Sequence, residues 1–258
     1  MIVLKKKLFP FLDRQVIWFE PKPSKLKCFS TLYKQSTAQH NIFGYKRSEF
    51  YTKLINLWAS EEEICKGFNK DTAYEIRRAR KDGIVTGVEL DIYRFVKFYN
   101  TFAQTKGLHQ LGNHILHYGE HLMMTKATAE NEDLVMHAYI LDLSDKRVRL
   151  LYSASQYRNE VSGASKRALV GRANRLLHAE DMLLFKAQGF ATYDMGGYAF
   201  GTKEVDLHRI NVFKDGFGGE LILENDYWPR TLLLALGLLA LMKRAKRQIM
   251  LFSAAYLH

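Results

Sequence analysis

The stretch SKRALVGRANRLLHAEDMLLFKAQGFATYDMGG, Ser165 to Gly197, joins a helical pattern to a strand-like run with almost nothing between them. Leu169, Ala173, Leu176, Leu177, Leu183, Leu184 and Ala187 recur at helical spacing, and Gly189 stands where a helix commonly closes. The strand ATYDM follows at once, and RVRLLYSAS, Arg147 to Ser155, reads as another strand ahead of the helix. A helix between two strands with short connections is a crossover, which returns the chain parallel to the strand it left. The segment therefore predicts two parallel neighbours in one sheet.

Working outward, LMMTKATAE and LVMHAYILDL are strands joined by the turn NED, and SDK leads into RVRLLYSAS, so three antiparallel strands form a meander. Upstream, Ile92, Phe95, Val96, Tyr99, Phe102 and Ala103 make an amphipathic helix that stops at Gly107. TAYEIRRARKD is a shorter helix, with Thr72 and Glu75 at capping-box spacing and Gly83 at its end. VIWFE and CFSTLYK read as strands parted by PKPSK, and Ser48 to Trp58 reads as a helix. Downstream of Asp194 lies a Gly-rich link, with room for a short helix, and then a last strand. The expected organisation is α/β: a strand-rich segment over 1–69 and one mixed-sheet domain over 70–258.

The 258 residues are 47% apolar, enough for a core, and 38 Lys and Arg against 27 Asp and Glu give a net charge of +11. That balance favours anionic partners: nucleic acid, anionic lipid or a nucleotide-linked substrate. Cys28 and Cys65 sit in no CxxC pattern, so neither a disulfide framework nor a metal site is expected, and a reducing cytoplasm is the simplest location. LFPFL is too short for a signal-peptide core. TLLLALGLLALM, Thr231 to Met242, falls short of the roughly 20 residues a spanning helix needs. It reads as a buried C-terminal helix with Pro229 in its first turn and Lys243, Arg244, Lys246 and Arg247 at the negative end of its dipole. The alternative is a membrane-surface element whose cations rest on anionic headgroups at the inner face of the membrane.

Three blocks, DTAYEIRRARKDGI (Asp71–Ile84), GRANRLLHAEDMLLFKAQGFATYDMGGY (Gly171–Tyr198) and INVFKDGFGGELI (Ile210–Ile222), resemble the signature blocks of the FemAB-like branch of the GNAT acyltransferase superfamily. That branch contains the peptidoglycan-bridge aminoacyltransferases and acetyltransferase-like proteins of envelope polysaccharide pathways. The resemblance implies a GNAT-like fold with a meander, a crossover helix and splayed parallel strands. It further implies transfer of an acyl group, acetyl or aminoacyl, from an activated donor to an amine on an envelope sugar or peptidoglycan-type precursor. Two alternatives stand beside that reading: an aminoacyl-tRNA-dependent peptide-branch transferase, and a binding module of the same fold without catalysis.

The resemblance also supplies roles. By motif, Lys214 takes the place of a lysine that stabilises the tetrahedral intermediate. Asp194 either accepts the amine proton or braces the glycine loop, and Glu220 is a second candidate base. His208 is a weaker candidate, a lone loop histidine. The backbone of Tyr152, Ser153 and Ala154 would hold the acyl carbonyl. The donor phosphates would meet the crossover helix's N-terminus with Lys166, Arg167 and Arg172, while Gly171 and Asn174 belong to the same block. Acyl-coenzyme A is the expected donor, although RALVGRA sets Arg167 one residue too far from Gly171 for the usual pyrophosphate loop. Arg77 and Arg80 suit an anionic acceptor, a nucleotide-diphosphate sugar or a lipid pyrophosphate. Tyr198 and Phe213 are further acceptor-side residues. Tyr152, Tyr157, Tyr193 and Tyr198 either wall a sugar site or belong to core and rim.

Overall fold

The computed structural model describes residues 1–9, 12–156 and 163–237. The chain forms two compact units, one of Tyr51–Ile222 with Met1, the other of Ile2–Phe50 with the residues from Leu223 onward. The 69/70 division expected from sequence falls inside the first of these.

The first unit holds a mixed sheet in the order β4 (Tyr45–Asn56, from Tyr51 onward), β9 (Thr192–Tyr198), β8 (Arg147–Ser155), β7 (Glu132–Asp142), β6 (Leu122–Ala129), β5 (Val85–Glu89). β5 through β8 are an antiparallel meander, β8 and β9 are parallel, and β9 is antiparallel to β4. The crossover between β8 and β9 is α4 (Ala164–Ala187), closed by Gly189 at φ 81°. Its apolar residues Val170, Ala173, Leu176, Leu177, Met182 and Phe185 join Val135, Tyr139, Val148 and Tyr193 in the main core. α2 (Lys70–Lys81) packs on α4, and α3 (Ile92–Lys106) packs on β7 and β8. α3 lies on the other side of the sheet from α4: Tyr152, which meets Tyr99 of α3, pairs across strands with Ala138, whose neighbour Tyr139 points the opposite way.

Local chemistry sets the boundaries. Asp91 caps α3 by accepting from the amides of Tyr93 and Arg94, and Gly107 ends it in the left-handed conformation at φ 62°. Asn69, not Thr72, caps α2; Thr72 is buried one turn inside it, and Gly83 follows at φ 73°. Ser60 and Glu63 form a capping box on α1 (Glu61–Lys66), a helix that sequence periodicity did not reveal. β5 was likewise unforeseen.

One expectation is corrected: Ser48 to Trp58 lies mainly in β4, not in a helix. Tyr51 to Asn56 pair with β9, and these ladder bonds outweigh the local helical spacing of the apolar residues. The Gly-rich link after β9 holds α5 (Val205–Asp215), which leads into β10 (Glu220–Pro229).

The second unit contains the β1–β2 hairpin (Ile2–Phe9, Leu12–Trp18), β3 (Thr31–Ser36) parallel to β2, and the later part of β10 antiparallel to β3. Ile17, Cys28, Tyr33, Ala38, Ile42, Tyr45 and Tyr227 form its core. Residues 230–237, directly after Pro229, are helical. The remainder of the apolar stretch and Lys243, Arg244, Lys246 and Arg247 lie outside the described residues. No helix among the described residues is long and apolar enough to cross a membrane.

Candidate active site

β8 and β9 pair only through Arg147–Thr192, Val148–Tyr193 and Arg149–Asp194, yet β8 runs on to Ser155 and β9 to Tyr198. Beyond that third pair the parallel strands have parted. Bulges at the same level explain why. Opposite β7, Ala138 faces Tyr152 and Tyr139 faces Leu150, so Leu151 is an extra residue in β8. Opposite β4, Thr52 faces Gly197 and Leu54 faces Asp194, so β9 also carries one residue too many. Bulges bend a strand and raise its twist, and a pair at one level opens a wedge. Gly196 makes the second bulge possible: its φ is 72°, and a Cβ there would stand 2.8 Å from the Leu150 carbonyl oxygen.

The groups that such a bulge orphans are satisfied by side chains. Asp194 is fully buried, and its Oδ1 accepts from the Gly196 amide at 2.8 Å and from the Thr52 hydroxyl. Its Oδ2 accepts from Arg147 at 2.6 and 3.2 Å. Burial alone would raise the Asp194 carboxyl, but Arg147, Arg149 and Thr52 outweigh it and hold the group below its ordinary value. A carboxylate so occupied is a poor proton acceptor and a good brace. The Thr52 hydroxyl also lies 3.0 Å from the Gly196 carbonyl, which shares the hydroxyl's one proton with Asp194.

Lys214 sits in the last turn of α5, not in a glycine loop, and is 8% exposed. Its Nζ donates to the carbonyls of Gly196 at 3.1 Å and Gly197 at 2.5 Å, at the edge of the wedge. Burial, opposed by Asp194 and assisted by Arg149, lowers its ammonium from 10.5 to about 8. Arg147, Arg149 and Lys214 thus surround one carboxylate, leaving the opening of the wedge with excess positive charge. Past Leu150, the β8 amides that point away from β7 have no β9 residue opposite them. Donors and cations held in place around such an opening are what a developing oxyanion requires.

The glycines of DGFGG serve close backbone approach. Cβ atoms at Gly218 and Gly219 would stand 2.6 Å from the carbonyl oxygens of Gly67 and Leu54, and both residues have φ above 70°. Glu220 follows them, exposed at the start of β10, and His208 is exposed on α5.

On the α4 side of the sheet lies a buried polar network that sequence reasoning missed. Asp181 Oδ2 accepts from Thr125 at 2.9 Å and from Tyr139 at 2.5 Å, and lies 3.1 Å from His137 Nδ1. Tyr139 and Tyr193 hydroxyls are 2.7 Å apart, and Tyr193 meets His178 Nδ1 at 2.7 Å. Burial first, then His137, Lys214 and Arg175, push the His178 imidazole well below its usual value, so it is neutral. Donor counting assigns its proton: Tyr139 donates to Asp181, Tyr193 donates to Tyr139, and His178 Nδ1–H donates to Tyr193. The signal was present in the sequence. Asn174, His178 and Asp181 stand at i, i+4 and i+7 of α4, one polar line on the face that meets the sheet.

The other expected residues disperse. Tyr152, Ser153 and Ala154 lie on the parted half of β8, with Ala154 buried and Tyr152 against Tyr99. Among the described residues no side chain caps α4 at Gly163. Lys166 there pairs with Glu132 at 2.7 Å, Arg167 is exposed, and Arg172 pairs with Asp82 at 2.5 Å. Gly171 and Ala173 are inside α4, where backbone amides are already bonded within the helix, so RALVGRA does not form a coenzyme A pyrophosphate loop. Asn174 Oδ1 lies 2.9 Å from His137 Nε2. On α2, Arg77 is exposed and Arg80 donates to Glu180 at 2.8 Å. Tyr198, at the end of β9, donates to Asp215 at 3.0 Å, and Lys53 pairs with the same carboxylate at 2.6 Å. Phe213 packs under the Arg175 guanidinium, 5.2 Å away, and against His178 and Phe217. Tyr157 lies outside the described residues. Among the described residues there is no cluster of three or more His, Cys, Asp or Glu fit to hold a metal.

No family model matches the sequence, and no curated protein matches it. Solved structures do. FemX superposes with a TM-score of 0.62 at 12% identity, over 90% of this chain and 85% of that one. The C-terminal domain of a putative lysylphosphatidylglycerol synthetase from Agrobacterium fabrum gives 0.54 at 8% identity, over 92% and 83%. L-PGS from Bacillus licheniformis gives 0.53 at 13%, over 92% and 84%. With its meander, crossover helix and parted parallel strands, the chain shares the fold of FemX.

Proposed function

We propose that the protein is an N-acyltransferase that moves an acyl group from an activated ester or thioester to an amine on an envelope sugar or peptidoglycan-type precursor. The observation that carries this reading is the wedge between β8 and β9, edged by the buried Lys214. The acyl carbonyl enters the wedge with its oxygen toward the β8 amides that have no β9 partner. The amine nitrogen attacks, a C–N bond forms, and negative charge on the carbonyl oxygen is met by those amides and by the field of Arg149 and Lys214. The bond to the leaving oxygen or sulfur then breaks, and the proton lost by the amine goes to that leaving group. Asp194 holds the bulged Gly196 in place.

An aminoacyl-tRNA donor is favoured over acyl-coenzyme A for two reasons. The segment expected to cradle the coenzyme A pyrophosphate is interior helix, and a net charge of +11 suits a ligand with many phosphates. Lysylphosphatidylglycerol synthetase, the name given to one neighbour in fold, denotes an amino acid joined to a lipid. The acceptor's anionic group is assigned to Arg77, which is exposed on α2, or to Arg80 once it exchanges Glu180 for that group.

The test offers the protein tRNA charged with labelled amino acids, or labelled acetyl-coenzyme A, together with amino-sugar and peptide amines. Label is expected in the amine product from charged tRNA, with a loss of about 100-fold or more in Lys214→Met. A Lys214→Met protein that folds normally and transfers as fast as wild type removes the catalytic role. Absence of both transfer and thermal protection with either donor removes the transferase reading.

A further inference from the structure

Three linked segments of the second unit each expose large apolar side chains. Leu26 is 84% exposed, Phe29 71%, Phe43 87% and Leu234 69%. Hydrogen bonds fix their neighbours together. The Arg230 amide donates to the Gly44 carbonyl at 2.9 Å, and Arg230 Nε donates to Tyr45 O at 3.3 Å. The Thr231 hydroxyl donates to the Cys28 carbonyl at 3.4 Å. Gly44, at φ 83°, lies so close to Cys28 that a Cβ would stand 2.6 Å from the Cys28 Cβ. Residues 25–29 and 41–45 and the start of the 230–237 helix are therefore linked by backbone and side-chain hydrogen bonds.

The charge on these segments is mainly positive, although Glu20 stands beside them and accepts from the Lys22 amide at 2.9 Å. Pro21–Ser30, Asn41–Arg47 and residues 230–237 contain Lys22, Lys25, Lys27, Lys46, Arg47 and Arg230 and no acidic residue. Lys46, Arg47 and Arg230 border a cleft of about 650 Å³ beside Phe43. Lone exposed apolar residues are ordinary, but four on linked segments that carry six cations are not. A second copy of the chain would bring the same cations against these, so self-association through this face is disfavoured. A surface that is apolar beneath and negative at its boundary fits both features.

We propose that this surface docks on an anionic lipid bilayer, with Leu26, Phe29, Phe43 and Leu234 entering the headgroup boundary while the lysines and arginines meet lipid phosphates. The docking stands whether or not the chain transfers acyl groups.

The test sediments the full-length protein with vesicles of phosphatidylcholine alone and of phosphatidylcholine with phosphatidylglycerol. Binding is expected only to the second kind, weakening as salt rises. Leu26→Ser with Phe43→Ser, and separately Lys25→Glu with Lys27→Glu, should each lower the partition coefficient at least about tenfold, the equivalent of ~1.4 kcal/mol. Far-ultraviolet circular dichroism and melting curves check that the variants fold. Equal binding of wild type and folded variants overturns the proposal, as does no binding to the anionic vesicles. A dimer in light scattering that Leu26→Ser with Phe43→Ser dissolves would assign the surface to a second copy, and also overturns it.

Discussion

Replacing Lys214 by Met tests the buried cation through stability as well as rate. An unfolded lysine keeps its proton to 10.5, whereas the folded Lys214 releases it at about 8. Between those values the unfolded chain binds more protons, so wild-type stability must rise with pH over that window. The difference between the two values corresponds to ~3 kcal/mol in full. From about pH 7 to about pH 9.5 roughly 2 kcal/mol of it should be recovered. Lys214→Met lacks the titrating group, and subtracting its stability cancels every other group that ionises over the same range. Urea denaturation of both proteins at the two pH values is therefore expected to show wild type gaining about 2 kcal/mol on the variant. A difference that stays constant within about 0.5 kcal/mol would mean that Lys214 is not buried as a cation beside Gly196 and Gly197. Transfer carries the opposite signature. If the ammonium stabilises an oxyanion, the rate falls as pH passes about 8.

Gly196→Ala forces a side chain into φ 72° against the Leu150 carbonyl; a stability loss of roughly 1–2 kcal/mol or more is expected in denaturation, with a larger proportional loss of transfer because the wedge itself shifts. Asp194→Asn leaves Arg147 buried without its carboxylate, for a cost of about 3–5 kcal/mol. Because the folded Asp194 lies below 3.8, its contribution is present at neutral pH and lost as pH falls through that lower value, so the variant's acid denaturation profile should lack this step. Tyr193→Phe removes the hydroxyl between Tyr139 and His178 and should cost ~1–3 kcal/mol in thermal or urea unfolding, without altering the salt dependence of stability.

The parts of the fold that follow from local periodicity were legible. The α4 pattern ended at Gly189, the α3 pattern ended at Gly107, and the short link from α4 to β9 forced the parallel pairing of β8 and β9. β4 was not legible, because Tyr51–Asn56 carry helical spacing and become a strand only through the ladder with β9. Lys214 was singled out by motif, yet its setting depended on α5, whose VDLHRINVFKD has little amphipathic pattern and exposes most of its residues. Nothing in the strand RVRLLYSAS singles out Arg147 and Arg149; their burial beside Asp194 emerges only when β8 and β9 align. The histidine and tyrosine network shows the same limit. Thr125, Tyr139 and Tyr193 read as strand residues, and only the helix above them turns three separated strands into one set of partners.

The central claim is that ligand chemistry occurs where β8 leaves β9, and hydrogen–deuterium exchange with and without charged tRNA or acetyl-coenzyme A tests it most directly. One of these donors is expected to slow exchange in peptides covering Leu151–Ser155 and the first turns of α4, with β1 and β2 unchanged. Donor binding that leaves those amides exchanging at their free rate, with protection appearing elsewhere in the chain, would contradict it.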